Sequence, residues 1–368
     1  MIAPTDKTSS HARQSVLAAL PDPMQKVLRN SKKWFRTRVA DRLYFPVWLM
    51  FQCIRHRKRA VILRRLSAMG DVVCALPMCN EIRKRHPGRL VIFLTSADYK
   101  SMVLIARVAD LVYGEHSWTF SVSSRYFGLI EKIYDPVIAS EGSNEGFNRH
   151  LIDELAGSCG FTVSDRQPRL YPSSELVKKV QSKYGFAEDV AKGRLIIGIN
   201  CGQVWPVRMW EPAKWQALLD RVHAEYDVAI LQLGFRKGDA DEYDHFRGVQ
   251  HVLRMMMDKD ELVALVANCH LMITVDSGPV HLAGAVGTPV VGLYGALEPR
   301  HFLPPGSPAV GVFSEVPCRF CQHMTPVGHW KDGCPNDIRC MKELAVEPVF
   351  QAVKAMLAKH GPIPIPGA

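Results

Sequence analysis

The sequence MITVDSGPVHLAGAVGTPVVGLYG, residues 272–295, decides the fold. It continues an apolar run, Leu271–Val275, that predicts a buried strand, and it ends with a second such run, Pro289–Leu293. Between the two runs, Asp276 and Ser277 are predicted helix caps, followed by a proline that suits the first helical turn. A helix that starts directly after a strand directs free N–H groups beyond the sheet edge, where they bind phosphate. The stretch therefore predicts a βαβ unit with an anion site. An ordinary βαβ unit without a ligand is the alternative.

A second motif lies about 200 residues earlier, at residues 60–77, which read AVILRRLSAMGDVVCALP. Val61–Leu66 predicts a strand, Ser67–Asp71 a turn and Val72–Arg85 a helix. The first stretch, D-S-G-P-x-H-L-A-x-A-x-G-T-P-V-V, resembles the donor-binding element of family 9 glycosyltransferases, the heptosyltransferases of bacterial lipopolysaccharide. The residues that end in Asp71 resemble the opening motif of that family, R-x-S-[AS]-[ML]-G-D-[VI]. The two resemblances occur in the right order and cover roughly residues 58–358.

The length and composition agree with a two-domain globular enzyme. The chain has 368 residues, more than one typical core, with 47% hydrophobic and 22% charged residues. Apolar strands alternate with helical patterns, which predicts an α/β fold with parallel sheets covered by helices. The resemblance implies the GT-B arrangement, in which two Rossmann-like parallel-sheet domains face each other across a cleft. The predicted strands lie at about 60–66, 89–95, 110–113, 132–138, 195–200, 228–233, 249–253, 271–275 and 289–293.

The same patterns predict how the chain divides into segments. A proline-containing stretch, residues 166–172, is predicted to link the two domains. The predicted segments are a basic amphipathic N-terminal extension (1–58), an N-terminal acceptor-side domain (59–170), a C-terminal donor-binding domain that includes the cysteine cluster 318–340 (171–345), and a C-terminal helix and tail (346–368). The G-x-G-x-x-G fingerprint is absent, which argues against a dehydrogenase built on the same α/β pattern.

Transfer of a sugar from a nucleotide donor requires a base for the attacking hydroxyl and positive charge for the leaving pyrophosphate. Asp71 follows a strand at a glycine-containing turn, where its side chain can reach a cleft. The resemblance implies that this aspartate is the catalytic base. A helix cap or an ordinary first-turn acid is the alternative interpretation of the residue, and either role is compatible with catalysis.

The predicted cation comes from GQVWPVRMWEPAKW, residues 202–215, which follows a predicted strand. The resemblance places a basic residue here, and Arg208 takes the position where a typical member has lysine. Arginine also binds phosphate, and does so with two N–H groups. The preceding residues, 203–206, depart from the usual threonine- and serine-rich sequence. Trp210 and Trp215 are predicted to pack in the core of the following helix, Trp215 above all.

The remaining predicted donor contacts lie within the first stretch. Asp276 is expected to orient the loop or to contact donor hydroxyls, and Ser277 and Gly278 to offer donors to the pyrophosphate. His281, in the first helical turn, is expected to meet a phosphate or a sugar hydroxyl. Its alternative is a histidine whose hydrogen bonds are satisfied within the protein.

Four of the ten cysteines form the cluster Cys318-x2-Cys321-x12-Cys334-x5-Cys340. A C-x2-C pair followed by two further cysteines is typical of a metal site, and zinc or iron suits four thiolates. The resemblance extends here to the autotransporter heptosyltransferases, which have a four-cysteine iron-binding finger. We expect a structural metal and no catalytic one, because four thiolates leave no open position. Unliganded cysteines or two disulfides are the alternative, and the other six cysteines are expected to be reduced.

The basic character of the chain is local. Residues 26–65 contain thirteen Lys or Arg and one acid, a net charge of +12, whereas the whole chain is +10, so the remainder is near −2. Within this segment, LYFPVWLMFQCI (43–54) is too short to span a bilayer and lacks the features of a signal peptide. Interleaved aromatic and basic residues suit an anionic membrane surface. A helix packed on the protein's own surface is the alternative, and no nucleic-acid-binding module accompanies the charge.

The sequence thus predicts an inverting glycosyltransferase that moves heptose from ADP-heptose to a hydroxyl of the lipopolysaccharide core. A protein O-heptosyltransferase acting on a serine of a secreted or autotransporter protein is the second hypothesis. A non-catalytic nucleotide-sugar-binding subunit is a third, from a different class. The expected location is the bacterial cytoplasm, with peripheral contact to the inner membrane.

Overall fold

The computed structural model of the 368-residue chain describes residues 44–66, 68–115, 128–138, 148–202, 206–234, 246–254, 257–322 and 334–360. Two parallel β-sheets organise these residues, and helices cover both sheets. This is the predicted α/β fold. The predicted domain limits stay predictions.

The first sheet contains four parallel strands in the order β3-β2-β1-β4. The central strands β1 and β2 are runs of Val, Ile and Leu that are buried along nearly their whole length, as expected for parallel strands covered on both faces. The strands are β1 (Ala60–Arg64), β2 (Leu90–Ser96), β3 (Leu111–Glu115) and β4 (Ile130–Tyr134).

The second sheet contains six parallel strands in the order β10-β9-β8-β5-β6-β7. The chain runs outward in one direction from β5 and in the other from β8, so the strand order reverses between these two neighbours. A reversal of this kind opens a crevice at the carboxyl ends of the two strands, where ligands bind. The strands are β5 (Leu195–Asn200), β6 (Val228–Gly234), β7 (His251–Arg254), β8 (Leu271–Val275), β9 (Val290–Leu293) and β10 (Ala309–Val312).

Helices connect and cover the strands. The first, α1, spans residues 44–56 and precedes the first sheet. The others are α2 (Met69–Ala75), α3 (Met78–Arg85), α4 (Lys100–Ala106), α5 (Leu151–Ser158), α6 (Ser174–Lys183), α7 (Ala187–Ala191), α8 (Pro212–Glu225), α9 (Lys259–Ala267), α10 (Gly278–Val286), α11 (Pro299–Phe302), α12 (Arg339–Lys342) and α13 (Val346–His360). No helix in the described ranges is both long and apolar enough to cross a membrane.

The structure differs from the sequence prediction at several local points, three of which have a clear physical reason. The helix predicted over Val72–Arg85 is two helices, α2 and α3, with the break at Pro77, which has no N–H to continue the ladder. Ser277 occupies the cap position of α10, but its side chain makes no capping hydrogen bond. Strand β10 was not predicted, because four residues with a central glycine carry little hydrophobic pattern.

One buried apolar cluster joins the two sheets. It includes Val72 and Leu76 beside the first sheet and Leu282 and Ala283 beside the second. The last helix, α13, packs on the second sheet, where Phe350 shares a core with Trp215. The two layers of helices between the sheets are therefore in direct contact.

Candidate active site

The two sequence motifs meet across the cleft. Helix α2 follows β1, helix α10 follows β8, and the two helices pack against each other through glycines. A Cβ added at Gly70 would lie 2.6 Å from Cδ2 of His281, and one added at Gly278 would lie 2.5 Å from Cε of Met69. The absence of side chains at these two positions permits this close approach, so the two motifs form one interlocked unit.

The turn before α2 has an unusual backbone conformation. Ala68, the cap residue of the helix, has φ 55° and ψ 114°, in the left-handed half of the map that non-glycine residues rarely adopt. Such strain is held by the surrounding structure and is common at functional sites. With this conformation at Ala68, α2 begins at the next residue. Asp71 therefore lies in the first turn of the helix, beyond the end of β1.

Asp71 is held by Arg65, the residue that follows β1. The guanidinium donates through Nη2 to Oδ2 of Asp71 and through Nη1 to the carbonyl of Pro136, at 2.8 Å. Burial raises the pKa of Asp71 above its usual value, whereas the positive charges of Arg65 and, more weakly, Arg208 act to lower it. The carboxyl group is thus largely buried and is oriented by Arg65. The positive charge of Arg208 also acts to lower its pKa.

Arg208 lies opposite, in a 3₁₀ turn (Pro206–Arg208) beyond β5. Its Nη1 donates to the carbonyl of Asp276 at 3.1 Å, and its Nε lies 3.7 Å from Oδ2 of the same residue. Nη2 donates to Oε1 of Gln322 at 3.4 Å. Burial raises the pKa of Asp276 and Arg208 lowers it. Asp276 therefore fixes the arginine at the strand-order reversal.

A hydrogen-bond network holds the start of the donor loop. Asn200, at the end of β5, donates through Nδ2 to Oγ1 of Thr274 at 3.0 Å and to Oγ of Ser277 at 2.8 Å. Ser277 Oγ in turn donates to the carbonyl of Val275 at 3.0 Å. These bonds tie the ends of β5 and β8 together and explain why Ser277 does not cap α10. The hydroxyl is already engaged in positioning the loop.

His281 is placed differently from the other predicted donor contacts. Its ring is 6% exposed and lies between the two helices, with Nδ1 3.4 Å from the thiol of Cys74 on α2. Burial lowers the pKa of His281 to about 3, which keeps the ring neutral. The ring therefore makes the inter-helix contact that was the alternative interpretation of this residue. Its predicted contact with the donor stays a prediction.

Buried polar atoms without a hydrogen-bond partner in the described part of the chain collect at the same place. They include the hydroxyl of Tyr294, Oδ2 of Asp276, Oδ1 of Asn200 and the Nε atoms of Arg65 and Arg208. Since buried polar groups are nearly always satisfied, such a concentration is typical of a ligand site. A polar ligand in the cleft could satisfy groups of this kind.

Sequence reasoning missed Tyr294. It follows β9, and its side chain lies over the backbone of Gly292, where an added Cβ would be 2.6 Å from the ring. The pKa of the phenol is raised well above its usual value, first by burial and then by the charge of Asp276. The only signal in the sequence is an aromatic residue directly after a buried strand, which is common in α/β proteins.

The cysteine cluster adjoins this site. The backbone N–H of Phe320 donates to the carbonyl of Gly295 at 2.9 Å, and that of Gln322 donates to Ala296 at 2.9 Å, so the segment is tied to the loop after β9. Burial, followed by the proximity of the other three thiols, raises the pKa of Cys340 to about 11. The described ranges include all ten cysteines, and no disulfide joins any two of them, so the disulfide alternative finds no support. Among the described residues, no three side chains already stand in metal-ligand geometry.

The predicted tryptophans have structural roles. Trp210 and Trp215 are fully buried, with ring centroids 5.3 Å apart and an interplanar angle of 79°. Trp210 Nε1 donates to the carbonyl of Leu344 at 2.9 Å, which attaches the loop that carries Arg208 to the segment before α13.

Comparisons with known proteins agree with this architecture. Residues 149–330 match the family described as glycosyltransferase family 9 (heptosyltransferase). Lipopolysaccharide heptosyltransferase 3 of Escherichia coli is 32% identical over 139 residues, a match that covers 35% of this chain and 40% of that protein. The lipopolysaccharide core heptosyltransferase OpsX of Haemophilus influenzae is 22% identical over 286 residues, which are 67% of this chain and 82% of that protein.

The fold is also shared with a solved structure. The iron-containing dodecameric glycosyltransferase TibC of enterotoxigenic E. coli H10407 superposes with a TM-score of 0.61 at 14% identity, covering 82% of this chain and 77% of that one. Two parallel-sheet units of this kind are the architecture of the GT-B fold. Within that fold, the match at residues 149–330 and the relatives make this chain similar to the heptosyltransferases of glycosyltransferase family 9.

Proposed function

We propose that the protein transfers heptose, with inversion, from ADP-heptose to a hydroxyl of the lipopolysaccharide core. The observation that carries this proposal is the arrangement of Asp71 and Arg208. They come from motifs about 140 residues apart in the sequence, yet α2, which carries Asp71, packs against α10, and Asp276 just before α10 accepts from Arg208 at 3.1 Å. A base and a cation that face one cleft are what sugar transfer from a pyrophosphate donor requires. The relatives in the family support heptose as the sugar.

Asp71 is the proposed base. An inverting transfer needs a carboxylate to accept the proton of the acceptor hydroxyl as that oxygen attacks the anomeric carbon, on the side opposite the leaving group. Burial favours the protonated acid, and Arg65 counteracts it at hydrogen-bond distance. Arg65 thus favours the charged carboxylate against the effect of burial, and its hydrogen bond engages one of the two carboxylate oxygens, Oδ2.

Arg208 and the start of α10 are the proposed site for the leaving group. When the glycosidic bond breaks, negative charge develops on the pyrophosphate oxygens, which a guanidinium stabilises with paired N–H groups. The free N–H groups at Ser277 and Gly278 add a partial positive charge on the same side. Asp276 orients the arginine and, with its second oxygen, is the proposed partner for donor hydroxyls.

The protein acceptor remains the second candidate for this site. Its support is the cysteine cluster, since the structurally similar TibC is an iron-containing glycosyltransferase. We propose that Cys318, Cys321, Cys334 and Cys340 hold one zinc or iron ion. Four thiols in one segment are a suitable donor set, and the metal would stabilise the segment whose Gln322 contacts Arg208.

We also propose that the enzyme works in the cytoplasm at the inner membrane, where the lipopolysaccharide core is held by its lipid. The support is the +12 charge of residues 26–65, because basic residues near an anionic leaflet each contribute on the order of 1 kcal/mol.

Donor and acceptor assays with purified protein test the main proposal. Only ADP-heptose, among a panel of nucleotide sugars, should support transfer to core lipopolysaccharide. Asp71→Asn should retain ADP binding and lose about 10²–10⁴-fold in turnover, the usual contribution of a general base. Asp220→Asn, a change at a half-exposed acid on α8, is the matched control and should behave as wild type. Normal turnover of the Asp71 variant would remove the base assignment, and binding without turnover by the wild type would favour the non-catalytic hypothesis.

A further inference from the structure

Helix α1 is attached to the first sheet by one face. Phe45, Leu49 and Cys53 are buried in a small core beneath β1, β2 and β3. The ring of Phe45 packs edge-on against Tyr113, with centroids 4.8 Å apart, and Trp48 packs on the same tyrosine at 5.0 Å. The helix therefore has a fixed orientation on the body of the protein, as the alternative interpretation of this segment predicted.

The opposite face of α1 is apolar and open to solvent. Side chains that are 46–66% exposed follow one another at positions 44, 47, 50, 51 and 54. This spacing of three and four residues places them on one side of a helix. They make up five of the nine large, exposed apolar residues in the described part of the chain. We call this set the outer face: Tyr44, Val47, Met50, Phe51 and Ile54.

Positive charge continues directly from the outer face. Arg55, His56, Arg57, Lys58 and Arg59 are all exposed, and no acid interrupts them. Arg59 donates to the carbonyl of Gly128 and lies 3.9 Å from Glu131. Within the described ranges, no acidic side chain pairs with Arg55, Arg57 or Lys58. An apolar surface of this size, bordered by unpaired cations, is unusual on a soluble protein and marks an interaction site.

We infer that the outer face of α1 docks on an anionic lipid bilayer. The described part of α1 has 13 residues, about 20 Å against a hydrocarbon core of about 30 Å, and one side of it packs on the first sheet, so it lies along the interface. In that position the apolar side chains enter the acyl boundary while Arg55, Arg57 and Lys58 meet the headgroups. The same charge opposes contact with a second copy of the chain, because the two runs of cations would face each other. The inference rests on the proposed membrane association and names its surface.

Sedimentation of the full chain with vesicles tests this surface. Wild type should bind vesicles of phosphatidylglycerol and phosphatidylcholine, and bind pure phosphatidylcholine much more weakly. Phe51→Ser with Ile54→Ser should weaken binding by on the order of 10²-fold, since each buried apolar side chain contributes about tenfold or more. The matched control is Leu104→Ser with Val252→Ser, two apolar residues elsewhere that are 52% and 40% exposed, and it should bind as wild type does.

The electrostatic part is tested separately. Arg55→Gln with Lys58→Gln should weaken binding at low salt and remove much of its salt dependence. Wild-type binding that survives the change of Phe51 and Ile54 would overturn the docking face while leaving the membrane association intact. Wild type that fails to bind anionic vesicles at all would overturn both. A wild-type oligomer that becomes monomeric in the Phe51 and Ile54 variant, without vesicle binding, would assign the face to a second copy. All of these variants should transfer heptose to a soluble acceptor fragment at the normal rate. A failure of the membrane inference would therefore leave the catalytic proposal unchanged.

Discussion

Replacement of Gly70 by alanine tests the contact between the two motifs. The added Cβ would lie 2.6 Å from Cδ2 of His281, well inside van der Waals contact. The ring cannot easily move, because it is 6% exposed and its Nδ1 lies 3.4 Å from the thiol of Cys74. Overpacking of this kind costs about 1–3 kcal/mol. Alanine gains up to about 1 kcal/mol over glycine within a helix, so we expect a net loss of about 1 kcal/mol in the free energy of unfolding.

The matched control is Gly278→Ala. Its added Cβ would meet Met69 Cε at 2.5 Å, an overlap of the same size, but against the end of a flexible side chain. Methionine rearranges at little cost, so we expect a change within about 0.5 kcal/mol. Turnover should also fall more in Gly70→Ala than in Gly278→Ala. Gly70 precedes the proposed base, and a displacement of that group by about 1 Å costs on the order of 10²-fold in rate.

Urea unfolding of a double-mutant cycle with His281→Ala provides the decisive measurement. In the His281→Ala background the imidazole is gone, so Gly70→Ala should be neutral or stabilising, and the two changes should couple by about 1 kcal/mol or more. An equal effect of Gly70→Ala in both backgrounds would contradict the interlocked arrangement. Comparison requires that all variants unfold with the same denaturant slope, since the chain contains two sheets that could separate.

Three further changes probe the site. Arg208→Ala should weaken ADP binding in titration calorimetry by on the order of 10-fold or more, and Arg208→Lys should retain part of it; an unchanged affinity would exclude Arg208 from the phosphate site. Arg65→Gln removes a charge that lowers the pKa of Asp71 while burial still raises it, so the acid limb of kcat/KM should move to higher pH and the activity loss should grow as pH falls. A reduced rate with an unmoved limb would assign Arg65 a purely structural role. Cys321→Ser with Cys334→Ser should abolish the roughly one zinc or iron per chain expected by elemental analysis and lower thermal stability, whereas metal-free wild type would refute the site.

The sequence predicted the strands of both sheets well, because apolar runs that are buried on both faces have no competing interpretation. Leu195–Asn200 and Leu271–Val275 coincide with the predicted limits. The helix that follows β1 was predicted less well. Its apolar periodicity continues across Pro77, and only the missing N–H of this proline marks the break. Strand β10 forms by pairing with β9, and pairing between strands leaves no pattern in the local sequence.

The sequence predicted only those residues of the candidate site that lie within recognisable motifs. Asp71, Arg208 and Asp276 come together as expected for residues at the carboxyl ends of parallel strands. Arg65 was within the quoted motif. Its hydrogen bond to Asp71, however, depends on the backbone conformation of Ala68, which no sequence pattern predicts. His281 illustrates the opposite case. Its position in a matched motif favoured a ligand contact, whereas the approach of α2 and α10 buries the ring between them.

The charges of the cleft connect donor binding to the strength of the base. In the free protein, Arg208 contributes to lowering the pKa of Asp71, which burial raises. A pyrophosphate bound to Arg208 would bring negative charge to the same place and offset that contribution. The carboxylate would then hold a proton more tightly, which makes it a stronger base when the donor is present and a weaker one when it is absent. Arg65 donates directly to Oδ2 of Asp71, so its contribution to lowering the pKa of that carboxyl would persist when the donor binds. Two arginines around one buried acid thus have separable roles, one fixed and one responsive to the donor.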